Sequence, residues 1–365
     1  MVQSDISWPA VPGQTPPSPS RKGPALRLNW LSFFFHAFDG YGRYARYMVQ
    51  SLARLGIEMH PIILEQLNMP AWIQRMAGLD WSKLTITCTP PYMFPGLAGR
   101  QWGLTMTEGS KLPKGWAERC NSCERIIVPC EQNAEAFEHS GVKVPIHVVH
   151  GGTSPVEFPM VYGKPRKPYT FLALADRGAR KGWVEVWQAF FMAFYDVADV
   201  RLVIKTRPHT NDLIDRISMA SNRDPRVSFW LQDVDTMANV YPHADCFAIP
   251  SKSEGWGMPH REAAMMGIPT IVTRYSGLDD GHTDEWATVV LDEFDLVNIP
   301  RGYADHIDGQ WAQMNVVAVA EAMRWCYEHP TEAKAKAMDG AAWLRANQTW
   351  EHAGRALLEL IEEYG

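Results

Sequence analysis

The amino-acid sequence predicts an α/β protein of two doubly wound, Rossmann-like domains facing a central cleft. Three observations point there. Two series of apolar strands alternating with helices follow one another along the chain. Residues 150–168, rich in glycine and proline, part them, and each series carries a glycine-bearing polar loop just after its first strand. Such alternation builds parallel sheets covered by helices, and 365 residues suffice for two cores of this kind.

The first series opens with an apolar strand over 26–35 and a loop over 36–42. Ala45, Met48, Val49, Leu52 and Leu55 recur at helical spacing, and Gly56 ends that helix. Strands follow over 57–64 and 84–87, then a helix over 116–124, a strand over 125–129, a helix over 131–139 and a strand over 144–149. The second series starts with a strand over 169–175. Its first helix carries Trp183, Trp187, Phe190, Phe191 and Phe194 on one face, an aromatic stripe read as core. Strands are expected over 200–206, 227–231, 246–249 and 270–273. Pro259 suits the first turn of a helix between the last two, which Gly267 and Pro269 end. Residues 311–329 and 331–364 read as helical. The domain boundaries expected are a Pro/Ser-rich tail over 1–24, a first domain over 25–155 and a second over 156–349, with residues 350–365 assigned back to the first.

Composition narrows the class. A chain that is 46% hydrophobic and 21% charged is ordinary for a soluble globular protein. No apolar run approaches the ~20 residues of a membrane span, and the tail lacks the apolar stretch of a signal peptide. The net charge is −6, and the acidic surplus lies in the second domain. No polybasic run marks a face for nucleic acid or anionic lipid. The six cysteines (88, 120, 123, 130, 246 and 326) show no disulfide spacing, which suits a reduced, cytoplasmic protein, with peripheral membrane attachment as the alternative. Cys120-x-x-Cys123, with Cys130 beyond, lacks the second ligand pair of a zinc site and reads as buried thiols.

Two loops carry the chemistry. Residues 254–262 read Glu-Gly-Trp-Gly-Met-Pro-His-Arg-Glu. Glu254 falls on a loop at the carboxyl end of a strand and Glu262 in the first turns of the next helix, where open α/β sheets bind ligands. Carboxylates are acceptor-only groups suited to sugar hydroxyls. In the first domain, Gly40 and Gly42 open a helix, so backbone N–H groups can approach a phosphate at its positive end. Read alone, Gly40-x-Gly42-x-x-Ala45 with Glu65 also fits a dinucleotide fingerprint and an NAD-dependent dehydrogenase. His36 to Asp39 then intervene where that fingerprint wants its first glycine, and the two acids are left without a task.

The run from Pro250 to Pro259, with Glu262-Ala263-Ala264, Gly267-Ile268-Pro269 and Ser276-Gly277, resembles the signature of retaining glycosyltransferases of family four, which have the GT-B fold. The resemblance implies Glu262 on the donor ribose, and Glu254 with the backbone of Gly255, Trp256 and Gly257 beside the transferred sugar. Residues 176–182 are similar to the family's Arg…Lys-Gly element, which puts Lys181 and either Arg177 or Arg180 on the donor diphosphate, with the Gly40–Gly42 loop closing over it. Glu108-Gly109-Ser110-Lys111-Leu112-Pro113 resembles an acceptor-domain element, and His150-Gly151-Gly152 the family's His-Gly before the linker. Lys205 ends a strand toward the cleft, and His36 and His150 are further cleft candidates. The resemblance covers residues 28–355 and implies catalytic roles for Glu254, Lys181 and His150, donor contacts from Lys205, and acceptor-side roles for Glu108 and His36. It also implies that the last helix, over 350–364, crosses back to the first domain.

The function implied is transfer of a sugar from a nucleoside diphosphate-sugar to an acceptor hydroxyl with retention. No metal or other cofactor is expected: Asp233-Val234-Asp235 has metal-motif spacing but reads as capping the helix start at Thr236. A glycan or lipid-linked sugar is the default acceptor; a modified nucleic-acid base, as for some viral relatives, is the alternative. The dehydrogenase and a nucleotide-sugar-binding protein without turnover stand as readings of other classes.

Overall fold

The computed structural model describes residues 26–33, 40–63, 82–97, 99–163, 165–175, 178–207 and 224–365. The expected tail and the candidates His36, Glu65 and Arg177 lie outside the described residues.

Two six-stranded parallel sheets form the frame. The first contains β1 (Arg27–Ser32), β2 (Glu58–Ile63), β3 (Thr85–Cys88), β4 (Gln101–Leu104), β5 (Arg125–Val128) and β6 (Ile146–Val148), in the order β2-β1-β3-β4-β5-β6. β4 is an addition to the sequence reading. Its four residues, Gln-Trp-Gly-Leu, carry too little apolar character to stand out. Gly103 is required there, because a Cβ would run into Phe94 and Ile126.

The second sheet contains β7 (Tyr169–Leu174), β8 (Val200–Lys205), β9 (Val227–Trp230), β10 (Cys246–Ala248), β11 (Thr270–Thr273) and β12 (Val289–Leu291). Its order, β12-β11-β10-β7-β8-β9, reverses direction between β7 and β10. At such a switch point the loops leaving the two central strands diverge and open a crevice. The described stretches here are the turn Gly178–Lys181 with Gly182, after β7, and the loop 249–257, after β10. The aromatic stripe is core as expected: Trp183, Phe190 and Phe194 are buried under this sheet, with Trp187 and Phe191 partly buried beside them.

One expectation fails. Residues 311–314 are not helical but form β14 (Gln310–Met314), antiparallel to β13 (Phe294–Asn298). Trp311, Ala312 and Met314 are buried in the extended strand, and the helix starts only at Val316, where the Asn315 side chain accepts from the Val317 amide. Asn315 is the stop and start signal that the apolar pattern hides.

After the helices Val316–Glu328 and Pro330–Asn347, the chain turns at Gln348 and Thr349 into the helix Trp350–Tyr364. That helix lies against the helix Gly40–Arg54 of the first sheet. Trp350 stacks on Tyr47 at 5.0 Å and meets Tyr44 edge-on at 4.9 Å, while Gly354 leaves room for Ser51. Where the linker meets this helix, a Cβ on Gly152 would run into the backbone of Thr349 and Trp350.

Behind the helix Met258–Met265 sits a fully buried ion pair. Arg261 Nη2 lies 2.5 Å from Asp280 Oδ2, and Gln348 joins both side chains. The guanidinium also donates to the carbonyls of Trp256 and Gly277 and lies 3.7 Å from the centre of the Trp256 ring. Removing one partner of a buried pair strands the other, at about 3–5 kcal/mol. Arg261→Ala is therefore expected to lower the thermal midpoint by many degrees. Arg355→Ala, which breaks an exposed pair one helical turn apart, should cost only about 0.3–0.5 kcal/mol; equal shifts in a melting experiment would show that the buried network carries no special weight.

Candidate active site

The loops at the switch point meet around one carboxylate. Glu254 follows β10 and is almost wholly buried, and three cationic contacts close on it. Lys181 Nζ donates to Oε1 at 2.7 Å and to Oε2 at 3.0 Å, and Arg180 Nη1 lies 3.0 Å from Oε2. Burial pushes the Glu254 carboxyl upward, but Arg180 and Lys181 outweigh it and hold the group well below the usual carboxylate range. The group is ionised across the neutral range.

Local structure explains the precision. Gly182 has φ 70°, and a Cβ there would strike the Pro250 carbonyl, so the turn that presents Arg180 and Lys181 packs directly on the loop carrying Glu254. The Lys252 amide donates to the Arg180 carbonyl at 2.8 Å. From the far side, Ser276 takes a left-handed φ of 56°, rare for a residue with a side chain. That conformation lets its Oγ accept from the Glu254 amide at 2.6 Å and donate to the Glu254 carbonyl at 2.9 Å. Gly277 N–H donates to the same carbonyl at 2.9 Å. His260, buried beneath, sits 3.1 Å from the Ile249 carbonyl. Burial pushes it down to about 3, so it stays neutral.

Glu262 lies on the next helix, with 3% of its surface exposed. Its Oε1 is 2.7 Å from Arg43 Nη2 and its Oε2 accepts from the Tyr241 hydroxyl at 3.0 Å. Burial lifts this carboxyl above its usual range; Arg43 opposes the lift only in part, and Glu157 adds to it.

The first domain supplies the facing wall. Gly40 begins its helix and Gly42 is buried in it; a Cβ on Gly40 would touch Met258 at 3.8 Å, so the starts of two helices converge. Helix starts carry unpaired N–H groups and partial positive charge. Glu108, on the loop after β4, reaches Arg180 Nη2 at 2.8 Å. Gly255 abuts Met106, and Gly257 at φ 79° caps the helix carrying Glu262.

The other candidates are placed differently. Trp256 does not face an open site: its indole is 2% exposed and belongs to the core cluster of the first domain, because it fills the space between Tyr44, Val149 and Trp350. His150 lies 5.4 Å from the Trp256 ring and 3.6 Å from Glu131, with no contact to Glu254 or Lys181. The Lys205 ammonium donates to the Thr206 carbonyl at 3.1 Å. Asp235 does not cap the turn Met237–Asn239; Thr236 does, accepting from the Ala238 amide. Cys120, Cys123 and Cys130 are buried, and burial pushes the Cys123 thiol up to about 12. Arg43, Tyr241, Ser276 and Tyr303 enter the site without having been assigned to it. Ser276 sits inside a motif that carries the resemblance and Arg43 next to the Gly40–Gly42 loop; Tyr241 and Tyr303 have no local signal.

A family model described as "Family 4 Glycosyltransferase in conflict systems" matches residues 144–357, more than half of the chain. The chain belongs to that family. No curated protein matches it in sequence. This glycosyltransferase shares its fold with sucrose-phosphate synthase from Thermosynechococcus elongatus (TM-score 0.67, 14% identity, 93% of this chain and 98% of the other). It is likewise similar to Anabaena Alr3699/HepE, solved in complex with UDP and glucose (TM-score 0.68, 11% identity, 93% and 100%). A third likeness is to WaaG, a glycosyltransferase involved in lipopolysaccharide biosynthesis (TM-score 0.63, 12% identity, 90% and 98%). The fold is GT-B, and the family replaces the dehydrogenase reading of the Gly40–Gly42 loop. Among the described residues no helix is long and apolar enough to cross a membrane.

The cage around Glu254 makes a titration testable. Lys181→Ala leaves Arg180 as the cation on a buried carboxylate, so the Glu254 pKa should rise. Because the folded-state pKa is depressed, this group's stabilisation is present above the unfolded value and lost as pH falls through the folded one. Acid unfolding of Lys181→Ala should accordingly begin at higher pH than in the parent, read by circular dichroism; an unshifted transition would show that Lys181 contributes nothing to holding Glu254 ionised.

Proposed function

We propose that this glycosyltransferase moves a sugar from a nucleoside diphosphate-sugar to an acceptor hydroxyl, with retention and without a metal ion. The observation that carries the reading is the ionised Glu254 between Arg180 and Lys181, at the switch point of a doubly wound sheet, with Glu262 on the following helix. A nucleoside diphosphate needs an acceptor pair for its ribose diol and cations for its phosphates. Glu262 supplies the first, and Arg180 with Lys181 the second, in a preorganised place where charge grows as the glycosidic bond breaks. Arg177 belongs to the same loop. Glu254 and the amides of Gly255–Gly257 lie beside the sugar, and the helix start at Gly40 and Gly42 faces the phosphates from the first domain. Lys205, at the carboxyl end of β8, adds positive charge on the donor side. His150 is assigned a catalytic role, and Glu108 and His36 are assigned to the acceptor side.

These cations take the part that a divalent ion plays in other glycosyltransferases, which supports metal-independent transfer. The Anabaena neighbour's bound UDP makes uridine nucleotides the first donors to test. A glycan or lipid-linked sugar is the acceptor class proposed. A modified nucleic-acid base is the alternative acceptor.

Incubation with UDP-, GDP- and ADP-sugars, followed by mass spectrometry and by NMR of the anomeric proton, should show release of one sugar with retained configuration. EDTA should leave the rate unchanged. Failure with every donor, or loss in EDTA with rescue by manganese, would overturn the reading. Within an active preparation, Lys181→Ala should lower kcat by about 10²–10³, the typical loss for one preorganised donor at developing charge. Lys167→Ala, on an exposed lysine paired with Asp199, should change little; equal small effects would move the diphosphate away from residues 178–182.

A further inference from the structure

The first domain sends a cation into the donor half of the cleft. Arg43 directly follows Gly42, and its Nη2 lies 2.7 Å from Glu262 Oε1 and 3.6 Å from Glu157 Oε1. The other Glu262 oxygen accepts from Tyr241. Both oxygens of the carboxylate are thus occupied by the protein itself. The Arg43 guanidinium carbon also lies 5.8 Å from the Phe158 ring centre and 5.9 Å from that of Tyr47, so its head sits between the two domains.

The pair is close and buried: Glu262 is 3% exposed, and Arg43 Nη2 lies against its Oε1 at 2.7 Å. A vicinal diol therefore reaches the Glu262 oxygens only once Arg43 moves aside.

We propose that Arg43 is a positioning residue that stands in for the donor ribose: it neutralises Glu262 while the site is without donor and yields the carboxylate when a nucleotide arrives. The inference rests on the assignment of Glu262 to the ribose. Donor entry is then an exchange of partners at one carboxylate. The ribose hydroxyls replace the guanidinium, and Arg43 falls back on Glu157, already within 3.6 Å. Because Arg43 belongs to the first domain and Glu262 to the second, the same exchange releases an attachment across the cleft. A second cross-cleft pair behaves alike in kind, since Arg180, proposed for the diphosphate, is held by the Glu108 carboxylate at 2.8 Å. The closed cleft is therefore occupied by groups of the donor's own chemistry, a set of N–H donors at the ribose clamp and an anion at the phosphate cation.

Calorimetry with UDP, ADP and GDP, each beside its 2′,3′-dideoxy counterpart, tests the proposal on the full chain. Arg43→Ala and the milder Arg43→Gln should bind the cognate ribonucleotide more tightly, on the order of tenfold, the worth of one charge-assisted hydrogen bond. Affinity for the dideoxy form should not change, and in a Glu262→Gln background the Arg43 substitution should have no effect. Unchanged ribonucleotide affinity in both Arg43 variants would make the pair merely structural, and weaker affinity would make Arg43 a direct donor ligand; either result overturns the proposal. If Glu262→Gln alone leaves ribonucleotide affinity as in the parent, or no nucleotide binds at all, the donor assignment itself fails.

Discussion

A single guanidinium, that of Arg180, is where the parts of this glycosyltransferase meet. It is 3% exposed and reaches Glu254 with one nitrogen, Glu108 of the other domain with a second, and the Ser253 carbonyl besides. A buried cation is tolerable only if its partners offset the loss of water. Arg180 obtains that offset from both halves of the molecule at once, and its backbone is held in turn: its amide donates to the Tyr303 hydroxyl at 3.1 Å. Without the opposing carboxylates the turn at 178–182 would hold two adjacent buried cations against each other. With them, the turn, the motif loop and the wall after β4 form one neutral unit.

A second layer of buried charge keeps that unit in place. Lys252 pairs with Glu185 at 2.6 Å and contacts Gln313 at 2.5 Å, tying the motif loop to the first helix of the second domain and to β14. Arg261 does the same on the other flank, joining the Trp256 and Gly277 carbonyls to Asp280 and, through Gln348, to the turn before the last helix. The acids of the motif therefore rest on a scaffold whose own charges are satisfied away from the ligand side.

The fold was legible because its signals are local. The apolar runs at 246–249 and 270–273, with Pro259 and Gly267 between, state a strand-helix-strand unit by themselves, whereas the short strands Gln101–Leu104 and Val289–Leu291 complete each sheet without a run long enough to be read. Of the site, the pairing of Lys181 with Glu254 was within reach, since both lie in loops at the ends of neighbouring central strands. What stayed hidden depends on long-range contact. Arg43 and Glu262 are far apart in sequence and in different domains; nothing near either names the other. Tyr241 reads as one more core aromatic until its hydroxyl is seen on Glu262. The indole of Trp256 fills the first domain's core, a task that its place in the motif does not announce. The β13–β14 hairpin escaped because Trp-Ala-Gln-Met, followed by a valine- and alanine-rich helix, has no alternation strong enough to mark a strand.

That hairpin has a mechanical consequence. Its tip is fastened to the first domain, with Ser110 Oγ accepting from the Gln310 amide at 2.8 Å and the Lys111 amide donating to the Asp308 carbonyl at 3.3 Å. At the linker, the Thr153 amide donates to the Gln348 carbonyl at 3.0 Å, beside the tight contact of Gly152 with Trp350. These pins are separate from the charge pairs of Arg43 with Glu262 and Arg180 with Glu108. Once those pairs part, rotation about the line that joins the pins is the rigid motion that keeps both, as a book opens along its spine.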